Sequence, residues 1–431
     1  MNKIKNAGII IFCTMLAAGF FSTVILPQKE YSDTENRQLE TKPAFALTDL
    51  WSGEYQERYE KYLNDQMMFR DRWVDLAVSM ERMTGKRDIN GVYIGKDGYL
   101  LEKYEESDFD TAQTEENTDR LSEFLNNTVN RYGAEHVSCL MIPSKAGALS
   151  EKLPPYAAGG AQPPENNGAN AQKSAVDEAV SVLKQKVDVP EIVMDMKNVL
   201  KQHQDEYIYF RTDHHWTALG AYYAYLAWAE TTGHSADQKE DFHIETVFED
   251  FYGTTYNKVH IKVPKDSVEV FHSPKQENVR IVFDDEDQAA DSFYFREAAV
   301  EGFNRYQIFL SKNTAKIEIQ TKAETGKSLL LIKDSFANCF VPFLAGDFDT
   351  IVMADLRYGK GNVYDIMDEY DITDVMVLYN VEKFMQDTNL RALEQKSESM
   401  DEFNMDDFFE QSGFIFWNCV CGAGRTAYAG I

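Results

Sequence analysis

Residues 213–216, Asp213-His214-His215-Trp216, put a carboxylate beside two imidazoles, and Ser335 stands far downstream in Lys333-Asp334-Ser335-Phe336. A carboxylate next to an imidazole fixes its tautomer and stabilises the imidazolium formed when the ring takes a proton. A serine hydroxyl served by such a ring becomes a nucleophile toward acyl carbon. In extended backbone, residues two apart face the same way. Asp213 and His215 are therefore expected to point together, with His214 turned aside. Asp213, His214 and His215 are also a possible metal set. Consecutive residues rarely converge on one ion without a turn, and no His-x-x-x-His spacing accompanies them. The expectation is no metal, and acyl chemistry of this kind needs no organic cofactor. Each residue also has a plain structural reading: Asp213 and Ser335 as helix caps, His215 as a hydrogen-bonded core histidine.

Further residues could complete a site. Asn380, after an apolar run at 374–379, is a candidate side-chain donor to an oxyanion or an ordinary turn residue. Arg357 and Tyr358 follow the apolar run 350–354 and are candidates to bind substrate; Arg357 suits a sugar carboxylate or phosphate, or a surface ion pair. Trp216 could stack on a sugar ring, although its place at the head of an amphipathic helix favours the core. Ser144 and Lys145, after Pro143, are expected to give a rim contact.

These residues share a setting. From about residue 136 short apolar runs alternate with helical patterns. Strands are expected at 136–142, 192–194, 207–210, 328–332, 350–354 and 374–379, and helices at 174–186, 196–203, 217–229, 336–344 and 362–369. Such alternation implies a parallel sheet covered on both faces. Ligands bind at the carboxyl ends of strands in open sheets of this kind. That rule selects 143–145, 213–216, 333–336 and 379–380. Residues 233–325 break the rhythm with short alternating segments and predict a strand-rich insertion, including strands at 259–263 and 268–271. Upstream, 51–84 and 113–132 carry helical spacing, and 90–101 predicts a hairpin around Lys96-Asp97-Gly98. Residues 157–172 are expected to form a mobile loop, and 413–431 a tail without usable periodicity.

The chain has 431 residues and a formal net charge of −28. A surface of that sign repels phosphate backbones, so nucleic acid is not an expected partner. Lys3 and Lys5 precede the charge-free run 8–26, which is long enough to span a bilayer. Both a cleaved signal peptide and a signal anchor fit, and the anchor is preferred because the small-residue triplet Ala17-Ala18-Gly19 lies inside the run. The expected layout is a membrane segment at 1–27, a linker at 28–50, an α/β domain at 51–412 and the tail. The domain would be exported and tethered to the cell membrane, or secreted if the segment is cleaved. Of five cysteines, Cys139 and Cys339 sit in apolar contexts as small core residues, and the fold depends on no disulfide framework.

The segment Thr212-Asp213-His214-His215-Trp216-Thr217, followed by Ala218-Leu219-Gly220-Ala221-Tyr222, resembles the signature of the DHHW protein family, and through it the alginate O-acetyltransferase-like, permuted SGNH hydrolase group. Glu35-Asn36-Arg37, Gly91-Val92-Tyr93-Ile94-Gly95, Lys333-Asp334-Ser335-Phe336 and Asp355-Leu356-Arg357-Tyr358 extend the resemblance over about residues 30–385. It implies an SGNH-hydrolase-like α/β domain with Asp213, His215 and Ser335 as the triad, in the reverse of the usual chain order. Asn380 would take the place of the group's Asn. Lys333 stands where a Gly is usual. The resemblance implies an O-acyltransferase or acylesterase acting on a cell-surface polysaccharide, and a multispan membrane partner if an acyl group crosses the membrane. The other expectation is a non-catalytic glycan-binding or envelope-assembly protein on the same fold.

Overall fold

The computed structural model describes residues 37–394 except 46, 68, 158–167, 285, 287, 302–303 and 360–361, together with five positions before residue 37. The expected membrane segment at 1–27 and the tail at 413–431 lie outside the described residues, apart from Thr14 and Gly19, as does most of the loop expected at 157–172. Among the described residues no helix is long and apolar enough to cross a membrane.

Seven strands form the central sheet: β1 (Val137–Ile142), β2 (Val193–Asp195), β3 (Arg280–Phe283), β4 (Lys316–Gln320), β5 (Ser328–Lys333), β6 (Thr350–Ala354) and β7 (Asp374–Asn380). Their order across the sheet is β3-β4-β6-β5-β7-β1-β2. The run from β6 to β2 is parallel, while β4 is antiparallel to both its neighbours. The insertion thus extends the main sheet through β3 and β4, and adds a separate two-stranded ribbon, His243–Phe251 with Asp266–His272.

The parallel strands β1, β5, β6 and β7 are apolar through their middles because both faces are covered. Leu140, Leu329, Leu331, Met376 and Leu378 pack into one core with the helix Ala218–Thr232. Their neighbours Cys139, Met141, Leu330, Ile332 and Val377 pack into the other, with the helices Thr111–Tyr132 and Gly168–Lys186. The side chains divide by the two-residue period of a strand.

Four sequence expectations are corrected. Residues 207–210 are no sheet strand; they make only an isolated bridge, Tyr209 to Trp216. Residues 336–344 form two short 3-10 turns, Ser335–Cys339 and Val341–Gly346, rather than one α-helix. Pro342, which lacks an N–H, stands at the head of the second. Residues 259–263 form no strand, although Val259 and Ile261 pack against the hairpin. The helical stretch 51–84 is broken by Gly53 and by Phe69, both in left-handed backbone, giving Leu47–Ser52, Glu54–Asp65 and Arg70–Met83.

Candidate active site

The segment 207–217 is a doubled-back loop. Phe210 N–H donates to the His215 carbonyl and Thr217 N–H to that of Ile208, so residues 211–214 form its tip. A tip of this kind leaves backbone groups without ladder partners, and buried ones must find others. Two buried side chains supply them. Asp266 accepts from the backbone N–H of Arg211 (2.7 Å) and Thr212 (2.8 Å), and from the hydroxyls of Thr212 and Tyr207. Lys145 Nζ donates to the carbonyls of Phe210 (2.7 Å), Arg211 (3.1 Å) and Asp213 (2.6 Å). Both are fully or almost fully buried. Burial pushes the Lys145 amine down to about 8, against the opposing pull of Asp266 and Asp213.

That clamp fixes Asp213. Its Oδ1 accepts from His215 N–H (3.0 Å) and lies 2.6 Å from His215 Nδ1; its Oδ2 accepts from Thr254 N–H (2.8 Å) and the Thr254 hydroxyl (3.0 Å). Burial alone would raise its pKa, but the neighbouring histidines and the Thr254 N–H outweigh that and hold the carboxyl well below its ordinary range. Gly253 makes the approach possible, since a Cβ there would stand 2.2 Å from Asp213 Cβ.

His215 lies between this carboxylate and Ser335: its Nε2 is 2.7 Å from Ser335 Oγ. Its pKa is lowered to about 4, first by burial and then by His214, with Asp213 opposing. At neutral pH the ring is therefore uncharged. With Nδ1–H donating to Asp213, Nε2 is left to accept from the serine hydroxyl. Tyr306 stacks flat on the ring (3.7 Å between centroids, 6° between planes), and its hydroxyl donates to the Ser335 carbonyl at 2.8 Å.

Ser335 stands two residues past the end of β5. Asp334 holds the turn: Oδ1 accepts from Phe336 N–H and Oδ2 from Asn380 N–H, both at 2.9 Å. Lys333, fully buried, donates to Asn313 Oδ1 and Asn338 Oδ1 at 2.9 Å and lies 3.4 Å from Asp355. Burial pushes its amine down to about 8. A cleft lined by His214 and Phe336, the chain neighbours of His215 and Ser335, and by Ser144, Lys145, Asn380 and others holds only ≈ 10 Å³, about one water. A larger cavity of ≈ 580 Å³ lies in the insertion, between residues of the ribbon's end and 273–294, and shares no lining residue with the triad. We place the candidate chemistry next to the smaller cleft, because the chain neighbours of the nucleophile and the base line it.

The structure brings together Asp213, His215 and Ser335. It gives the other candidates different work. Trp216 is 0% exposed, with its indole N–H on the Phe336 carbonyl (3.0 Å), so it cannot stack on a sugar. Asn380 lines the cleft, but its amide donates to the Ile142 carbonyl (3.2 Å) and Glu382 (3.1 Å), and its Oδ1 caps the next helix through Lys383 N–H. Both amide hydrogens are engaged, which removes it as an oxyanion donor. Arg357 makes a two-pronged pair with Asp355 (2.8 and 2.6 Å), so the surface ion-pair alternative holds, with the arginine exposed and Asp355 buried. Tyr358 is 54% exposed, under the Arg357 guanidinium. His214 is not turned aside: its ring lies 3.8 Å from that of His215, and its Nδ1 is 2.7 Å from the Thr254 hydroxyl. Ser144 and Lys145 do line the cleft, but Lys145 also clamps the loop.

Ligand atoms of Asp213, His214 and His215 lie within 4.8 Å of one another, close enough to hold a metal ion. Each is already engaged. Asp213 accepts four hydrogen bonds, both His215 nitrogens face hydrogen-bond partners, and His214 Nδ1 meets Thr254. The set fits a proton relay better than a coordination sphere.

Residues 165–354 match the family model described as DHHW protein. Over that segment the chain is similar to the DHHW protein family. The segment contains Asp213, His215, Thr254, Asp266, Tyr306 and Ser335; Lys145, Arg357 and Asn380 fall outside it. A DHHW family protein from Eubacterium siraeum is 23% identical, with a TM-score of 0.54 over 71% of this chain and 95% of that one. Bacillus cereus PatB1 is 20% identical, with a TM-score of 0.55 over 71% of this chain and 99% of that one. A second structure of PatB1, with a sulfonyl adduct, is 19% identical, with a TM-score of 0.52 over 71% and 97%. At these identities the likeness is one of fold: mixed α/β with a mostly parallel sheet. No curated protein sequence matches the chain.

The DHHW tetrapeptide marked half of the relay in the sequence. Thr254 and Gly253 had a faint signal, Gly253-Thr254-Thr255 at the end of an insertion strand. Asp266 and Tyr306 had none, because their only link to the site is through space.

Proposed function

We propose that this protein is an O-acyltransferase or acylesterase of the SGNH type, acting through Ser335, His215 and Asp213 on a cell-surface glycan. The observation that carries the reading is the continuous relay from Asp213 Oδ1 to His215 Nδ1 (2.6 Å) and from His215 Nε2 to Ser335 Oγ (2.7 Å). Neutral His215 takes the hydroxyl proton at Nε2 as Ser335 Oγ attacks the acyl carbonyl. The imidazolium that forms is stabilised by Asp213. Collapse of the tetrahedral intermediate returns the proton to the leaving oxygen and leaves the acyl group on Ser335. A sugar hydroxyl or water then attacks, with His215 again the base. The backbone N–H of Ser335 has no acceptor among the described residues, and we assign it to the developing oxyanion.

The glycan, export and tethering through residues 1–27 are part of the same proposal. They rest on the family resemblance and on the charge-free run 8–26. Transfer across a membrane would need a multispan donor protein, since the chain has one such run. The reported sulfonyl adduct of PatB1 suggests a direct test. Ser335 Oγ, its proton taken by His215, should attack the sulfur of an aryl sulfonyl fluoride and expel fluoride ion, leaving the sulfonyl group on one peptide, seen by mass spectrometry, while a chromogenic acetyl ester should be cleaved. Neither should occur with Ser335→Ala. Equal ester rates in the two proteins would remove Ser335 as nucleophile and favour the glycan-binding alternative.

A further inference from the structure

Nine of the twelve large apolar side chains exposed among the described residues lie between 45 and 83. Trp51 is 89% and Met83 87% exposed. On the helix Arg70–Met83 the exposed apolar positions are Trp73, Leu76, Met80 and Met83. At ~100° per residue these fall within an arc of about 80°. Val78, buried in the small core with Ile89, Val92 and Leu100, points about 180° from the middle of that arc. The helix is therefore held by one side and turns a continuous apolar stripe directly away from the protein. Phe69, at its N-cap, is exposed as well, and so is Trp51 on the helix Leu47–Ser52.

We propose that this stripe lies in the surface of a lipid bilayer. Its composition is that of an interfacial helix, with aromatic and aliphatic residues on one side and arginines off the stripe. The helix carries three arginines and three acidic side chains, with Lys86 and Arg87 just beyond it, so this stretch lacks the acidic excess of a chain of net charge −28 and does not repel a lipid headgroup layer as a strongly acidic surface would. The same net charge disfavours pairing two copies through this face. The charge-free run 8–26 ends about twenty residues before Phe45, a linker that reaches at most ~65 Å when extended. The proposal uses the membrane tether assumed above and is independent of the triad.

The test uses the full chain reconstituted into phosphatidylcholine–phosphatidylglycerol liposomes, plain or with brominated acyl chains. Resistance to alkaline carbonate extraction reports the tether separately. Trp216 and Trp228 are buried, so bromine quenching of tryptophan emission reads Trp51, Trp73 and Trp417, the last removed by Trp417→Phe in every protein compared. Without further substitution the protein should be quenched. Trp73→Phe should lose a large share of the quenching, and Leu76→Glu with Met80→Glu should lose it while Trp73 remains. All of these side chains are exposed, so the melting temperature should not move. Quenching unaffected by either variant overturns the proposal, even where the tether holds. So does an unquenched Trp73 shielded within a dimer or awaiting a protein partner.

Discussion

The two halves of the relay are held by different means. Ser335 stands just beyond β5, whose main chain is hydrogen-bonded on both sides, to β6 and β7. Asp213 and His215 stand on a loop with no ladder at its tip, positioned by side chains from distant parts of the chain: Lys145, Thr254 and Asp266. A backbone ladder tolerates loss of a side chain, whereas a side-chain clamp does not. The nucleophile half should therefore lose function without losing stability, and the base half should lose both together.

The largest separation is expected for Ser335→Ala. The ester rate should fall by roughly 10⁴ or more, with the urea midpoint unchanged; a parallel loss of stability would break the comparison. Lys145→Met attacks the other half. The buried carbonyls of Phe210 and Asp213 lose their donor, that of Arg211 keeps only Leu100 N–H, and Asp266 loses one nearby cation, so stability should fall by about 3 kcal/mol and the rate with it, both read on one preparation. Gly253→Ala places a methyl against Asp213 and should cost about 1–3 kcal/mol, with a rate loss larger than any change in KM. Tyr306→Phe removes the hydroxyl's bonds to the Ser335 carbonyl and to Cys339 Sγ and keeps the ring stack. About 1 kcal/mol and a small change in rate are expected.

Acid sharpens the same contrast. Unfolded His215 titrates near ~6.5, and folded His215 near about 4 because burial disfavours its charge. Between these values the unfolded chain binds more protons. Stability from this group is thus complete above pH ~6.5 and is lost as pH falls toward about 4, by roughly 3 kcal/mol. Asp213, also depressed, extends the loss to lower pH. His215→Gln should flatten the upper part of that dependence in pH-resolved urea melts. The acid limb of the esterase profile should likewise lie well below neutrality.

The strands of the parallel sheet were legible because Leu329, Leu330, Leu331 and Ile332 are apolar on both faces, a pattern that persists whatever the neighbours are. The pairing of Asp213 with His215 was legible because they are close in sequence. The extended-chain reasoning behind it was wrong in detail. The loop doubles back, one Asp213 oxygen takes both the backbone and the ring N–H of His215, and His214 stays against its neighbour. Trp216, Arg357 and Asn380 looked available because their types suit ligands. Trp216 is instead engaged by Phe336, far away in sequence, Arg357 by Asp355 two residues before it, and Asn380 by Ile142 and its own cap; residue type carries no information about which polar groups are already paired.

By itself the sequence determined the elements and the chemical types, since periodicity and composition are local properties of the chain. Only the tertiary structure decided that Ser335 Oγ meets His215 Nε2, that Lys145 and Asp266 hold the loop between them, and that Tyr306 covers the ring. Those contacts join residues separated by scores of positions, and what selects them is the need to satisfy buried polar groups wherever the packed core happens to bring them.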